Sequence, residues 1–268
     1  MSTVYSDLLQ EEEAKEGTRP LVGFEGRSTP ERKVDSGWRP TADSTERPST
    51  GSSVKPTIPP EAFVRNAYFP TMIYQYDVKN CEQLNKTLLD LTYAERESGI
   101  AVNKSNTAEL GSWHSATMLH KNPAYKPIIA EVDAALSRIS DELKYATDQV
   151  LKITTMWSII NPPGNGNRSH VHPNSLWSGV YYVQAPENAG KIEFIDPRTV
   201  LIMNQPKYET KKKRPRECWN KVNFKPVPGR MIIFPAWLYH GVDINTSKEK
   251  GRAADRIIMS FNINQVKR

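Results

Sequence analysis

A mostly β domain, a sandwich or barrel with helices against one side, is predicted by three observations. Seven short strand-like runs follow residue 152, two amphipathic stretches precede them, and Gly- and Pro-rich turns separate the runs. The runs are KITTMWSII (152–160), LWSGVYYVQ (176–184), KIEFID (191–196), TVLIMN (199–204), NKVNFKPV (220–227), RMIIFP (230–235) and RIIMSFNIN (256–264). Their separators include NPPGNGN, APENAG and PVPG, which are turn sequences because Gly and Pro supply the dihedrals that strands cannot. No internal repeat is present.

The elements before residue 152 follow the same logic. Residues 63–78 (FVRNAYFPTMIYQYDV) read as one or two short strands, with Pro70 at an edge or bend. Cys81–Glu97 places Leu84, Leu88, Leu91 and Tyr93 near helical spacing, and Tyr125–Leu151 repeats Ile129, Val132, Leu136, Ile139 and Leu143 at three and four. Both are expected to be helices. Asn103–Leu119, around GSWHS, is polar and reads as a loop leading into a short strand.

Residues 1–60 differ in kind. They hold 7 of the 20 prolines and 8 Lys/Arg against 10 Asp/Glu, with no sustained period, so they read as a disordered or partner-ordered arm before a domain spanning 61–268. Leu21, Phe24 and Trp38 are its candidate anchors, and a large assembly such as a virion is one partner it would suit. The arm thus contributes −2 to the net charge of +6, and residues 61–268 carry +8, so the basic excess belongs to the domain. No apolar run approaches the roughly 20 residues of a membrane helix, and the N-terminal sequence lacks a basic segment followed by an apolar one. Two separated cysteines, Cys81 and Cys218, exclude a disulfide scaffold and fit a reducing compartment, so a cytoplasmic location is expected.

Chemistry concentrates in the histidines. Of five, His170 and His172 lie in RSHVHPNS and His240 in FPAWLYHGV, each beside a predicted strand end. Two histidines at i and i+2 of an extended segment point to one side, and a third from a neighbouring strand completes one face of a metal's coordination shell. A single histidine beside a turn is ordinarily a hydrogen-bonded surface residue; the three together point to a metal. Imidazole suits zinc, iron, nickel and copper alike, but no HExxH or CxxC pair is present, which counts against zinc proteases, zinc fingers and nucleobase deaminases.

The stretches MWSIINPPGNGNRSHVHPNSLWSGVYYVQAPENAGKIEFIDPR, PVPGRMIIFPAWLYHGV and RIIMSFNI, with FPTMIY and SNTAELGSWHS upstream, resemble the 2-oxoglutarate- and Fe(II)-dependent oxygenases of the uncharacterised bacterial and cyanophage type. The resemblance covers roughly 61–268. It implies a double-stranded β-helix, the cupin-like jelly roll with a metal in its mouth, and Fe(II) with 2-oxoglutarate as cosubstrate. By position it implies His170 as the first iron ligand, His240 as the distal one, and Arg256, 16 residues later, as the partner of the far carboxylate of 2-oxoglutarate. Tyr182 and Ser178 are further candidates for cosubstrate hydrogen bonds, and Trp157, Trp177 and Trp237 for pocket walls. Hydroxylation of an unactivated C–H bond of an unidentified substrate is the reaction implied.

One departure matters: the family pattern has a carboxylate where this chain has His172. Three arrangements stay open. His172 is a third ligand, or it contacts substrate, or Glu193 or Asp196 in KIEFIDPR supplies the carboxylate. Two other functions compete: another metal-dependent cupin, against which the absence of an acid in PNSLWSG counts, and a non-catalytic jelly roll that binds an assembly through its arm. The run KKKRPR (211–216) reads as a solvated basic loop, not a nucleic-acid site, since no nucleic-acid motif accompanies it. Pairing of copies through helices or edge strands is a further expectation.

Overall fold

The computed structural model describes residues 65–99, 111–198, 203, 206–209 and 211–268. The 1–60 arm with Leu21, Phe24 and Trp38, and all of TVLIMN but Met203, lie outside the described residues. Arg65–Arg268 form one compact unit. Among the described residues no helix is long and apolar enough to cross a membrane.

Among the described residues, ten strands make two antiparallel sheets. In chain order they are β1 (Tyr74–Asp77), β2 (Trp113–His114), β3 (Gln149–Asn161), β4 (Asn167–His170), β5 (Trp177–Gln184), β6 (Ile192–Ile195), β7 (Lys221–Phe224), β8 (Arg230–Pro235), β9 (His240–Val242) and β10 (Arg256–Lys267). The larger sheet has the order β1-β8-β5-β10-β3-β2 and the smaller β4-β9-β6-β7. Chain neighbours are thus mostly separated in space, as in a jelly roll.

Alternation along the large sheet sorts its side chains into two cores. Trp157, Ile159, Val180, Tyr182, Ile232, Phe234 and Ile258 face the small sheet and pack with its Ile192 and Phe194. The intervening residues Met156, Ile160, Tyr181, Met231, Met259 and Phe261 pack on the other face, against the helices. Because both faces are buried, these strands read as nearly continuous apolar runs rather than as alternating ones.

Among the described residues, two helices cover the outer face: α1 (Glu82–Glu97), through Leu88 and Tyr93, and α2 (Lys126–Glu142), through Ile128, Val132, Leu136 and Ile139. Pro127 sits in the first turn of α2, where its missing N–H is not needed. The expectation of a helix to Leu151 is corrected here. Lys144 adopts φ 55°, and the Tyr145 N–H donates to the Ser140 carbonyl, six-to-one hydrogen bonding that closes the helix and releases 149–161 as a strand. The upstream segment is also shorter in strand than expected, since only Tyr74–Asp77 pairs, with β8.

Gly179 shows how tightly the sheet meets its helix-side core. A Cβ there would lie 2.3 Å from Cε2 of Phe261 and 3.2 Å from the Ile232 carbonyl oxygen. Gly179→Ala is expected to destabilise the fold by about 1–3 kcal/mol through overpacking, measured as a lower urea midpoint at unchanged m-value.

Candidate metal centre

The small sheet supplies the histidines. His170 ends β4 and is opposite His240, which begins β9, in the antiparallel register. His172 lies two residues further on, where its backbone N–H donates to the Ala236 carbonyl and so anchors the turn to the loop before His240. One potential ligand atom from each of the three lies within 4.8 Å of the others, and among the described residues they form the cluster suited to hold a metal ion. The Nε2 atoms of His172 and His240 stand 3.2 Å apart.

Their outer nitrogens are occupied. Nδ1 of His170 is 2.7 Å from the Arg168 carbonyl oxygen and Nδ1 of His240 is 2.9 Å from that of Leu238, contacts that put the proton on Nδ1 and leave Nε2 as a lone pair. The His172 ring is hydrogen-bonded to the Asn262 side chain, an interaction that favours its protonated form. Burial overrides it: together with the charge of His170, it pushes His172 down to about 4. His240 is pushed down to about 3, first by burial and then by His170. Both rings are neutral near pH 7, the state a metal ligand requires.

The cluster opens on a cavity of about 320 Å³ between the sheets. Arg256, Tyr182 and Ser178 all line it, as do Trp157, His114 and Asn167. Trp157 pairs with Ser260 and stacks on His172, so the histidines lie at the Ser260 level of β10. Arg256 lies four residues away along the same strand, about 13 Å at the usual strand rise. It is 1% exposed. Its Nη1 donates to the backbone carbonyls of Ala189 and Asp243, while Nη2 is buried without a partner. Gly190 makes room for it, since a Cβ there would lie 2.8 Å from Nη1. Burial lowers the guanidinium to about 10, still charged at neutral pH, and raises the Tyr182 phenol, with Arg256 opposing that rise.

The remaining expectations divide. Ser178 lines the cavity at the histidine end, four residues along β5 from Tyr182, and its hydroxyl lies 3.1 Å from Asn262 Oδ1 and 3.3 Å from the Phe261 carbonyl. Glu193 pairs with Lys221 and Asp196 with Arg198, both at 2.8 Å, so neither carboxylate joins the histidines. Trp157 is a cavity wall. Trp177 lies on the helix side with its indole N–H on the Tyr145 hydroxyl, and Trp237 is about half exposed, so neither lines the cavity. His114, expected only as part of a loop, stacks on Trp157 at 5.6 Å between ring centroids. Asn262 was not singled out; its only signal is its place two residues after Ser260 on the inward alternation of β10.

Buried polar groups are nearly always paired in folded proteins. In this cavity Arg256 Nη2, Trp157 Nε1 and Asn167 Oδ1 are not. Three converging imidazoles at one end and an unfinished guanidinium at the other fit a metal ion and an anionic ligand bound together.

The comparisons agree with that reading. Residues 155–262, which contain all three histidines and Arg256, match the family model described as "Putative 2OG-Fe(II) oxygenase". No curated protein matches the sequence. Among solved structures, a Pseudomonas putida prolyl-4-hydroxylase is similar at 14% identity and TM-score 0.50, over 72% of this chain and 92% of that one. The α-ketoglutarate-dependent epimerase SnoN from nogalamycin biosynthesis is similar at 12% identity and TM-score 0.52, over 74% and 81%. At these identities the structures speak for the fold, a jelly roll. The class is therefore that of the 2-oxoglutarate-dependent oxygenases, enzymes that use Fe(II) and 2-oxoglutarate. Within this chain, the family match at residues 155–262 lies inside the compact unit Arg65–Arg268.

Asn262 links the Ser178 hydroxyl to His172. Partners of metal-bound histidines typically contribute 10- to 100-fold to metal affinity. Asn262→Leu is expected to weaken Co(II) or Fe(II) binding by roughly that factor, read by anaerobic titration, with the urea midpoint as a control for folding.

Proposed function

We propose that this protein is a hydroxylase whose iron is held by His170, His172 and His240, with no carboxylate ligand, and whose 2-oxoglutarate is held at its far carboxylate by Arg256 and Tyr182. The observation that carries this reading is the buried Arg256 Nη2 without a partner, in the same cavity as three converging imidazoles. Iron and 2-oxoglutarate, when bound, supply the oxidising chemistry: O2 is consumed, 2-oxoglutarate becomes succinate and CO2, and one oxygen atom enters a substrate C–H bond.

The chain's own residues orient and exclude. Arg256 presents a planar fork of donors in a water-poor cavity, where a charge-assisted hydrogen bond to a carboxylate is strong. The Tyr182 phenol, held protonated by burial, can donate beside it. Ile159, Val180, Ile192 and Ile258 make the wall between Arg256 and the histidines apolar. Asn262 fixes the His172 ring, and Trp157 covers the face of that ring, so the imidazole cannot turn away from the other two. His172 as a ligand replaces an anion by a neutral group, leaving the centre one unit more positive and better matched to a dianionic cosubstrate.

Two variants test the assignment. Arg256→Met is expected to raise the KM for 2-oxoglutarate roughly 10- to 100-fold, the equivalent of a lost hydrogen bond to a charged group, while metal affinity stays unchanged. Arg256→Lys should recover only part of it, since a point charge cannot reproduce the fork. His240→Ala is expected to abolish both metal binding and succinate formation. Succinate formation in His240→Ala at the wild-type rate would refute the metal assignment.

A further inference from the structure

Beside the iron cavity runs a second and larger hollow of about 610 Å³. It follows the seam of the barrel, between the segment that leads into β1, Arg65–Ile73, and the segment that leads into β7, Arg216–Val222. β1 and β7 are edge strands of their respective sheets. An ion pair of 2.8 Å between Arg65 and Glu217 spans the seam. Phe194 and Leu238 form the floor. Phe194 separates the hollow from the metal centre by a single ring, its centroid 6.0 Å from that of His240, and the Leu238 carbonyl is the group that holds His240 Nδ1.

The two volumes divide the work. The inner cavity lies at the small end of the range for ligand sites, and a metal and a dicarboxylate already claim part of it. What is left admits a reacting group rather than a bulky molecule. The rest of a larger substrate must lie outside, and the neighbouring groove is built to receive an extended chain. Its aromatic rim is uncovered: Tyr68 is 74% and Phe69 90% exposed, and Phe69 holds φ 60°, a backbone conformation costly for a bulky residue.

Charge selects the occupant. The groove is lined by Arg65, Arg198, Arg216 and Lys221 against Asp196 and Glu217. Asp196 is engaged by Arg198, Glu217 by Arg65, and Lys221 pairs with Glu193; Arg216 makes no ion pair among the described residues. Lys211–Lys213, all exposed, precede it. The surplus is cationic. Among the described residues no strand pairs with the outer edge of β7, whose main-chain groups a polypeptide can use by adding a strand and an oligonucleotide cannot.

We infer that this groove docks an acidic, extended peptide segment, so that the oxygenase acts on a side chain of a polypeptide rather than on a free metabolite. The inference rests on the hydroxylase reading for its catalytic half; docking itself needs no metal. Fluorescence anisotropy of the full chain with a labelled twelve-residue peptide of alternating Glu and Leu tests it. Expected is saturable binding that weakens at least tenfold in Arg216→Glu/Lys221→Glu, and likewise when every Leu is replaced by Pro, which removes the N–H groups a strand must donate. The Lys–Leu counterpart should not bind. Metal titration of the double variant should match wild type, which separates loss of docking from failure of the iron site. No binding of the acidic peptide, equal binding by the double variant, or tighter binding of a twelve-residue oligothymidylate would overturn the inference.

Discussion

Strand β10 is buried on both faces, and the chemistry of the site hangs on which of its residues point inward. Ile257, Met259, Phe261 and Ile263 lock it into the core beneath the helices. That anchorage leaves Arg256, Ile258, Ser260 and Asn262 on the other face, between the sheets. A one-residue slip would exchange the two sets, placing a guanidinium among the helices and an isoleucine at the cosubstrate's end of the cavity. The pairing of β10 with β3 over its whole length, and with β5 on the other side, makes such a slip prohibitively costly. The same strand therefore fixes the distance from Arg256 to the histidines and delivers Asn262 to His172.

The electrostatics follow from that placement. A guanidinium with nine-tenths or more of its surface removed from water is normally matched by a carboxylate. Arg256 hydrogen-bonds to the backbone carbonyls of Ala189 and Asp243, and the Asp243 carboxylate favours its charge without forming an ion pair with it. The histidines likewise face one another with no anion among them. No carboxylate pairs directly with Arg256 or joins the histidines, and a bound dianion would supply one at each end.

How much of this was legible beforehand depends on how far each signal travels along the chain. His170, His172 and His240 stood out because rare residues fell at strand ends, and Arg256 because the family resemblance places an arginine at the start of the final strand. The structure brings all four, with Tyr182 and Ser178, into one cavity. Asn262 and Asn167 were invisible, since an asparagine in a strand carries no marker until its cross-strand neighbour is known; Ser178 proves to be opposite Asn262. His114 reaches the site only because β2 adds to the sheet beside β3. The end of α2 was misplaced because apolar spacing continued past Lys144, whose positive φ no side chain announces. Trp237 was misread for a similar reason: Leu238 and His240 take the inward positions, so Trp237 and Tyr239, which alternate with them, turn outward.

The account stands or falls on an all-histidine iron site coupled to Arg256. Its most direct test is a crystal structure of the protein with Fe(II) and 2-oxoglutarate under anaerobic conditions, with anomalous data collected at the iron edge. The account predicts a single anomalous peak bound by the Nε2 atoms of His170, His172 and His240, and a carboxylate of 2-oxoglutarate on Arg256 Nη2. A peak coordinated by Glu193 or Asp196 instead of His172, or 2-oxoglutarate bound away from Arg256, would contradict it.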